Sequence, residues 1–571
     1  MSSHLSSAMF FKKEDMPQLI MNVIKQKDSA QTNFIEAIPL FLQSMEAETV
    51  RTELIPFIKN WINFGDRTNA TLFTSMLPLF MPPHLPAFIF FDLLFPMNDI
   101  IRQSAMFIEK QMMEVCKTIA DVFDIESIQT FILPSLDQLF IPSNTDSQGL
   151  AIRVQSYFIP LANKNWHDKI TSRIRKLSDN ESSYIRVCVL KSLSEIITVS
   201  DQPNELIREL IIPKFHDSDF KVRTAAISTA CSLGNLFFSD HEFITKFLKN
   251  SDDESWYVRF AVTHHLKEAI ESAPDRVVFA APLLKLTQDS VNQIHSLALK
   301  VLTETVHFFP TSSLDIIPKI IEQGMKSPQE DIRTATIDLW ASLLKHHPSA
   351  KFHASLFGTL NLIAVLPIEA ITYQMMYRII PLVPEEQINI KTLRKGFHTL
   401  LESVTPTWKA AGVAVLRLYS QMSNLKDLAL EMSSLAFPLL EAPSLMVRCI
   451  VGEMLVDFSK VYSWNWLKEN AIKRIEKGVK EGNALVKQSL SRTIVELIYN
   501  DPPNDIKTSL EAWLNLIEKD KIASVQENAK YSHSIMNKLS SNQQKSQITS
   551  SSSSSDSSES SNTSDDSSSD S

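Results

Sequence analysis

Asp252-Asp253-Glu254-Ser255-Trp256-Tyr257-Val258-Arg259-Phe260-Ala261-Val262, running on to Ile270, reads as a turn followed by a helix. The acidic and small residues at its start suit a tight turn and a helix N-cap. Their side-chain oxygens accept from backbone N–H groups that the first helical turn leaves unpaired. Val258, Ala261, Val262 and Leu266 then recur at helical spacing and form one apolar face. Trp256 stands in the turn ahead of that helix, where the helix's own face has no need of its ring.

The pattern recurs along the chain. Asp217-Ser218-Asp219-Phe220-Lys221-Val222-Arg223 leads into Thr224-Ala225-Ala226-Ile227, and Asp179-Asn180-Glu181-Ser182-Ser183-Tyr184-Ile185-Arg186 leads into Val187. Shorter copies carry Ile152-Arg153, Ile294-His295, Ile332-Arg333, Val447-Arg448 and Val486-Lys487. From Arg186 to Lys487 the steps are about 36 to 39 residues once Thr372 and Lys409 are counted as members. A period in that range, with two helical patterns per unit, implies an all-α HEAT-repeat α-solenoid, a curved superhelix of antiparallel helix pairs.

Composition agrees with that reading. A chain of 571 residues would by length alone suggest several globular domains. A solenoid instead grows by stacking. Only 10 glycines are present, which disfavours a Gly-rich phosphate-cradling loop. The formal charge is -9, with no basic stripe of the kind that binds nucleic acid. Cys116, Cys188, Cys231 and Cys449 are widely spaced and read as buried thiols of a reducing compartment. The start, Met1-Ser2-Ser3-His4-Leu5-Ser6, carries no signal-type apolar run. The greasiest stretch, Leu77–Met97, holds Pro78, Pro82, Pro83, Pro86 and Pro96, so it is expected as two short helices and not as a membrane span.

The expected organisation is a loose lead-in over 1–15, a solenoid of about fourteen repeats over 16–539, and an acidic Ser/Asp-rich tail over 540–571. Helices are expected near Met16–Lys25 and Thr32–Ser44, and again over Glu48–Ile58. The third repeat is expected to turn at Asn98-Asp99-Ile100-Ile101-Arg102 and the fourth near Asp146-Ser147-Gln148-Gly149. The step from Arg102 to Arg153 exceeds one period, which points to an inserted loop around Ile141–Gln148. First helices containing Leu210-Ile211-Ile212-Pro213 or Ile316-Ile317-Pro318 are expected to bend at the proline. Later turns fall at Pro367-Ile368-Glu369, Thr405-Pro406-Thr407-Trp408-Lys409, Pro443-Ser444-Leu445-Met446, Gly482-Asn483-Ala484-Leu485 and Ala523-Ser524, with the last helix reaching about Leu539. The tail cannot bury enough surface to offset its conformational entropy, and its serines upstream of acids suit an acid-directed kinase.

No catalytic constellation is present in the sequence. His264-His265 and His346-His347 are adjacent pairs, which point about 100° apart on a helix and cannot chelate together. The expectation is a non-enzyme with no catalytic residue, metal or cofactor. The repeat arginines Arg186, Arg223, Arg259 and Arg333 are read as a structural ladder, each pairing with turn acids such as Asp179, Asp217, Asp252 and Asp289. Trp256 and Trp408 are read as turn aromatics able to anchor a partner.

At these residues the chain resembles the scaffolding (A, or PR65) subunit family of protein phosphatase 2A, over most of 10–535. The likeness is sharpest at Asp252–Ile270 and is also seen at Arg51-Thr52-Glu53-Leu54-Ile55-Pro56-Phe57. Trp408-Lys409 falls, by unit count, where that family has a Trp-Arg pair. The chain departs from the family pattern at Ser183 and Val187, and the family's last repeat has no counterpart. The resemblance implies a horseshoe whose intra-repeat turns hold a variable regulatory B-type subunit and a phosphatase catalytic subunit. Carried over position by position, Asp99, Asp217 and Trp256 would meet the regulatory subunit, and Trp408 and Lys409 the catalytic subunit. The implied location is the cytoplasm and also the nucleus, with neither nucleic acid nor membrane as partner. The alternative is a HEAT adaptor of another class, either a nuclear-transport receptor or a regulatory subunit of a related phosphatase. Binding of a small GTPase in its triphosphate form would select the transport receptor.

Overall fold

A computed structural model of the chain describes residues 30–535, apart from 142, 143, 366 and 367. The lead-in, the helix expected near Met16–Lys25, Pro367, the last helix's end at Leu539 and the whole of the tail lie outside the described residues. Among the described residues every regular element is helical. They fall into two compact units, one ending at Leu314 and the other starting at Asp315.

In the first unit the helices Thr145–Tyr157, Ser183–Ile197, Phe220–Ser232, Trp256–Ser272 and Asn292–Thr305 pack each on the next. These are the second helices of successive repeats. The first helices, such as Lys164–Leu177 and His241–Leu248, cover them from one side. In the second unit Pro406–Ser420, Leu445–Val461 and Ala484–Tyr499 stack in the same way. The expected apolar spacing is what is buried. Trp256–Ser272 buries Val258, Ala261, Val262, Leu266, Ala269 and Ile270. One helix pair alone cannot cover both of its apolar faces, so the stack supplies the core. Gly452 shows how closely neighbours approach, because a Cβ there would collide with Thr493 of the next second helix.

The ladder arginines act at the seam between repeats. The Arg223 guanidinium donates to both carboxylate oxygens of Asp253 in the following repeat, at 2.7 and 2.8 Å. Its remaining nitrogen donates to the carbonyls of Asp217 and Ser218 in its own turn. Arg186 treats Asp217 and the carbonyls of Asn180 and Glu181 likewise. Arg259 does the same with Asp289 and the carbonyls of Asp253 and Glu254. Each acid also accepts the backbone N–H two residues on, that of Asp219 at Asp217, Ser255 at Asp253 and Val291 at Asp289, which sets the turn before the next helix. Two expected partners differ. Asp179 binds Lys214, and Asp252 binds Lys285 while Asp253 takes the arginine. Arg333 makes only the backbone half of the pattern, to Ser327 and Pro328. Lys487 and Asp520 form a comparable rung in the second unit, at 2.7 Å.

Four prolines follow a wider turn, whereas Pro39 lies within the α-helix Ala30–Ser44. Val50–Leu54, Ile128–Ile132, Ile207–Ile211 and Met375–Ile379 are π-helical, and each is followed by an apolar residue and then Pro56, Pro134, Pro213 or Pro381. The N–H of Ile212 reaches back to the carbonyl of Ile207. Proline has no N–H and its ring crowds the carbonyl four residues earlier, so widening one turn relieves the clash. Pro318 instead sits in the first turn of Ile317–Met325, where it starts the helix.

The third repeat departs most from expectation. Ala87–Val122 is one continuous helix of 36 residues, about 54 Å long. No turn interrupts it at Asn98–Arg102. The extra length between Arg102 and Arg153 is therefore helix and not a loop. Leu77–Phe80 is a short 3-10 turn ahead of it. The fourth repeat's second helix starts at Thr145, capped by Asn144. A run such as Ile100-Ile101 beside a buried Asn98 continues the core face, and nothing local forces the chain to reverse.

Burial pushes the Cys116 and Cys188 thiols up to about 12, so both stay protonated at neutral pH. No helix among the described residues is long and apolar enough to cross a membrane.

The ladder makes two expected outcomes. Arg223→Ala leaves the Asp253 carboxylate buried without its partner, and the resulting loss of stability in urea unfolding should be about 3 kcal/mol. Arg333→Ala removes only backbone contacts and should cost about 1 kcal/mol; equal losses would contradict the ladder's dependence on the carboxylate. Burial opposes ionisation of Asp217 and Asp289, but the arginine forks outweigh it and hold both carboxyls below their ordinary value. Their contribution is therefore complete above the usual carboxylate range and drains away as pH falls through the lowered values. Acid unfolding followed by circular dichroism below about pH 4 should be shallower in Asp289→Asn than in the parent chain.

Candidate partner-binding edge

In each unit the starts of the second helices carry side chains that the core does not use. Ser255 is the N-cap of Trp256–Ser272, so Trp256 is the first residue of the helix and not a member of the turn. Its ring is 39 % exposed. It stacks on Tyr257 at 3.9 Å and meets Phe260 edge-on at 6.5 Å. Tyr257 in turn stacks on Phe220 of the preceding repeat at 5.2 Å. An indole held by stacking and not by burial presents a stiff apolar face at little further entropic cost.

Trp408 lies in the first turn of its element. Pro406 opens the helix Pro406–Ser420 and Thr405 precedes it. The ring is half-buried, with Tyr373 at 6.4 Å, and Tyr373 stacks on Tyr377 at 5.4 Å. Lys409 is half-buried beside it, at the position that the ladder arginine holds in other repeats. Its backbone N–H bonds the carbonyl of Thr405. Among the described residues no carboxylate lies within salt-bridge range of its ammonium group.

The two acids carried over from the resemblance are placed differently. Asp217 has a side chain only 7 % exposed, and its oxygens are engaged by Arg186 and the Asp219 N–H. It is a member of the ladder and has no free face for a partner. Asp99 sits within the continuous helix Ala87–Val122, paired with Arg102 at 3.4 Å, and not at an intra-repeat turn.

A further set of edge residues lies in the second unit. Leu445 and Met446 open Leu445–Val461, Leu485 lies in the first turn of Ala484–Tyr499, and Val404 and Ile522 stand just before their helices. All are exposed, Leu445 at 58 % and Leu485 at 54 %. Packed helices lie roughly 8–10 Å apart, so equivalent positions of neighbouring repeats line up as a row. Such a row of large apolar groups marks an interaction surface. Leu445, Met446 and Leu485 stand in turns already quoted from the sequence, and Val404 and Ile522 immediately precede two others. The signal that could have found them is apolar side chains at a helix start whose own core stripe begins at Val447 or Val486. Among the described residues no group of three His, Cys, Asp or Glu side chains is placed to hold a metal ion.

No protein-family model matches the chain. No curated protein matches it by sequence. Its fold is that of known helical-repeat structures. Yeast importin-beta (Kap95p) is similar over 92% of this chain and 73% of that one, with a TM-score of 0.56 at 11% identity. Kap121p is similar over 76% of this chain with a TM-score of 0.53 at 14% identity, and Kap121p bound to RanGTP has a TM-score of 0.50 at 15% identity. The chain spans about half the length of Kap121p, 48%. In all, 332 solved chains match, so the likeness is to an architecture and not to one protein. The chain is a HEAT-type helical solenoid, and these comparisons give no support to membership of the phosphatase scaffold family.

Proposed function

We propose that this chain is a non-enzymatic, protein-binding adaptor of the nuclear-transport-receptor kind, which holds partners on the edge formed by the starts of its second helices and moves between cytoplasm and nucleus. The observation that carries the binding role is the exposed apolar edge itself: Trp256 and Tyr257 in one unit, and Leu445, Met446, Leu485 and Ile522 in the other. Solvent-facing apolar groups at equivalent repeat positions cost solubility unless a partner covers them. The transport class is supported by the fold likeness to importin-beta and to Kap121p, one structure of which is bound to RanGTP. The chemistry is geometric. One chain carrying two partners raises their concentration near each other without making any bond.

A second reading, a scaffold bridging a phosphatase catalytic subunit and a regulatory B-type subunit, is favoured by one observation. Both tryptophans of the resemblance lie in the first turn of a second helix with ring surface left uncovered. In this reading Trp256 faces the regulatory subunit, and Trp408 and Lys409 face the catalytic subunit.

One capture experiment separates them. The full-length chain is immobilised and offered Ran loaded with GTP or GDP, and separately a protein phosphatase 2A catalytic subunit. The transport reading expects the GTP form to be retained at least about tenfold better than the GDP form, with no retention of the phosphatase. Retention of the phosphatase alone, weakened about tenfold or more by Trp408→Ala, would establish the scaffold instead. Trp256→Ala should leave either capture of the first partner intact and reduce recruitment of a further one.

A further inference from the structure

The helices Phe220–Ser232 and Trp256–Ser272 leave a groove of about 360 Å3 between them, lined by Phe220, Lys221, Tyr257, Phe260, His264 and His265. Its floor is aromatic and partly open. Phe220 and Tyr257 stack at 5.2 Å with an interplanar angle of 24°, and Phe260 stacks on His264 at 6.2 Å and 12°. None of these four rings is buried, although the repeats on either side bury their own cores.

The charges around the groove are unequal. Among the described residues no carboxylate lies within 4 Å of the Lys221 ammonium group. Glu268 is the acid nearest the histidines, and it is already bonded to His265 at 2.9 Å. Glu254, on the turn ahead of the second helix, lies 3.8 Å from Arg223. Lys267, further along, is bound to Glu304. The rim therefore offers the Lys221 ammonium, which has no salt-bridge partner among the described residues, and two imidazoles over an apolar floor; Asp219, which attracts Lys221 through space, is held by the Ser183 side chain and the Lys221 N–H.

We propose that this groove binds an extended acidic segment of a partner protein that carries one aromatic or large aliphatic side chain. That side chain lies on Phe260 and Tyr257, and flanking carboxylates pair with Lys221. The volume is at the low end of the roughly 300–1,000 Å3 of ligand pockets, which suits one large side chain and not a folded surface. Ring faces alone would also attract a cation; Lys221 at the rim opposes that. The site requires neither a GTPase nor a phosphatase subunit, although it shares Tyr257 with the proposed partner-binding edge.

The test uses the full-length chain and three fluorescein-labelled peptides: Asp and Glu around a central Phe, the same peptide with Ser for Phe, and the Phe peptide with Lys for every acid. Anisotropy at low salt should show the acidic Phe peptide binding at least about tenfold tighter than either other peptide, a difference of about 1.4 kcal/mol. Affinity should fall with added salt. Lys221→Glu, a surface change, should weaken binding about tenfold, and Phe260→Ala should weaken it similarly. Equal or tighter binding of the Lys peptide would overturn the proposal. So would unchanged affinity in both variants, or self-association abolished by Phe260→Ala in a chain that binds none of the peptides.

Discussion

The structure depends on a planar guanidinium that serves two repeats at once. Arg223 closes the carbonyls of its own turn and grips the acid of the next turn with both remaining nitrogens. A fork of fixed geometry suits this task in a way that a lysine ammonium does not, because five donors in one plane can satisfy carbonyls and carboxylate together. The acid is doubly committed as well, since it also holds the N–H that starts the following helix. Turn geometry, helix start and repeat-to-repeat register are thus fixed by one hydrogen-bonded unit, repeated at Arg186, Arg223 and Arg259.

That arrangement explains what is left over for binding. The ladder arginines Arg186, Arg223 and Arg259 and the acids Asp217, Asp253 and Asp289 that they grip are consumed internally, so these charged residues are the least available. Asp217 is the clear case. The groups left to face outward are those one or two positions into the second helices, where the side chain points away from both the ladder and the core stripe. Trp256, Tyr257, Leu445 and Leu485 occupy these positions. A solenoid built this way separates its stabilising chemistry from its recognition chemistry within a few residues of chain.

Proline adds a second layer of local control. The widened turn ahead of Pro56, Pro134, Pro213 and Pro381 recurs in repeats of otherwise different sequence. At Pro56, Pro134 and Pro213 the helical run continues past the proline, whereas at Pro381 it ends at Leu382.

The repeat, the all-helical class, the buried face of Trp256–Ser272 and the ladder role of Arg186, Arg223 and Arg259 were legible in the sequence, because each follows from spacing and from the bonding capacity of a single side chain; that Arg333 finds no carboxylate was not. Asp217 could be placed in the ladder or on the surface from sequence alone, and only packing against Arg186 decided between them. The continuous helix through Asp99 was not legible. Whether a polar pair in an apolar run ends a helix or rides on it depends on what the neighbouring repeats bury against it. The choice of Asp253 over Asp252 likewise rests on a fraction of a turn in backbone direction, which residue types do not encode one at a time. The amino-acid order by itself determined the period and the chemistry available at each turn. The tertiary structure decided which of those groups are spent at the seams and which remain exposed, because a side chain's availability is set by neighbours about 30 residues away in the next repeat.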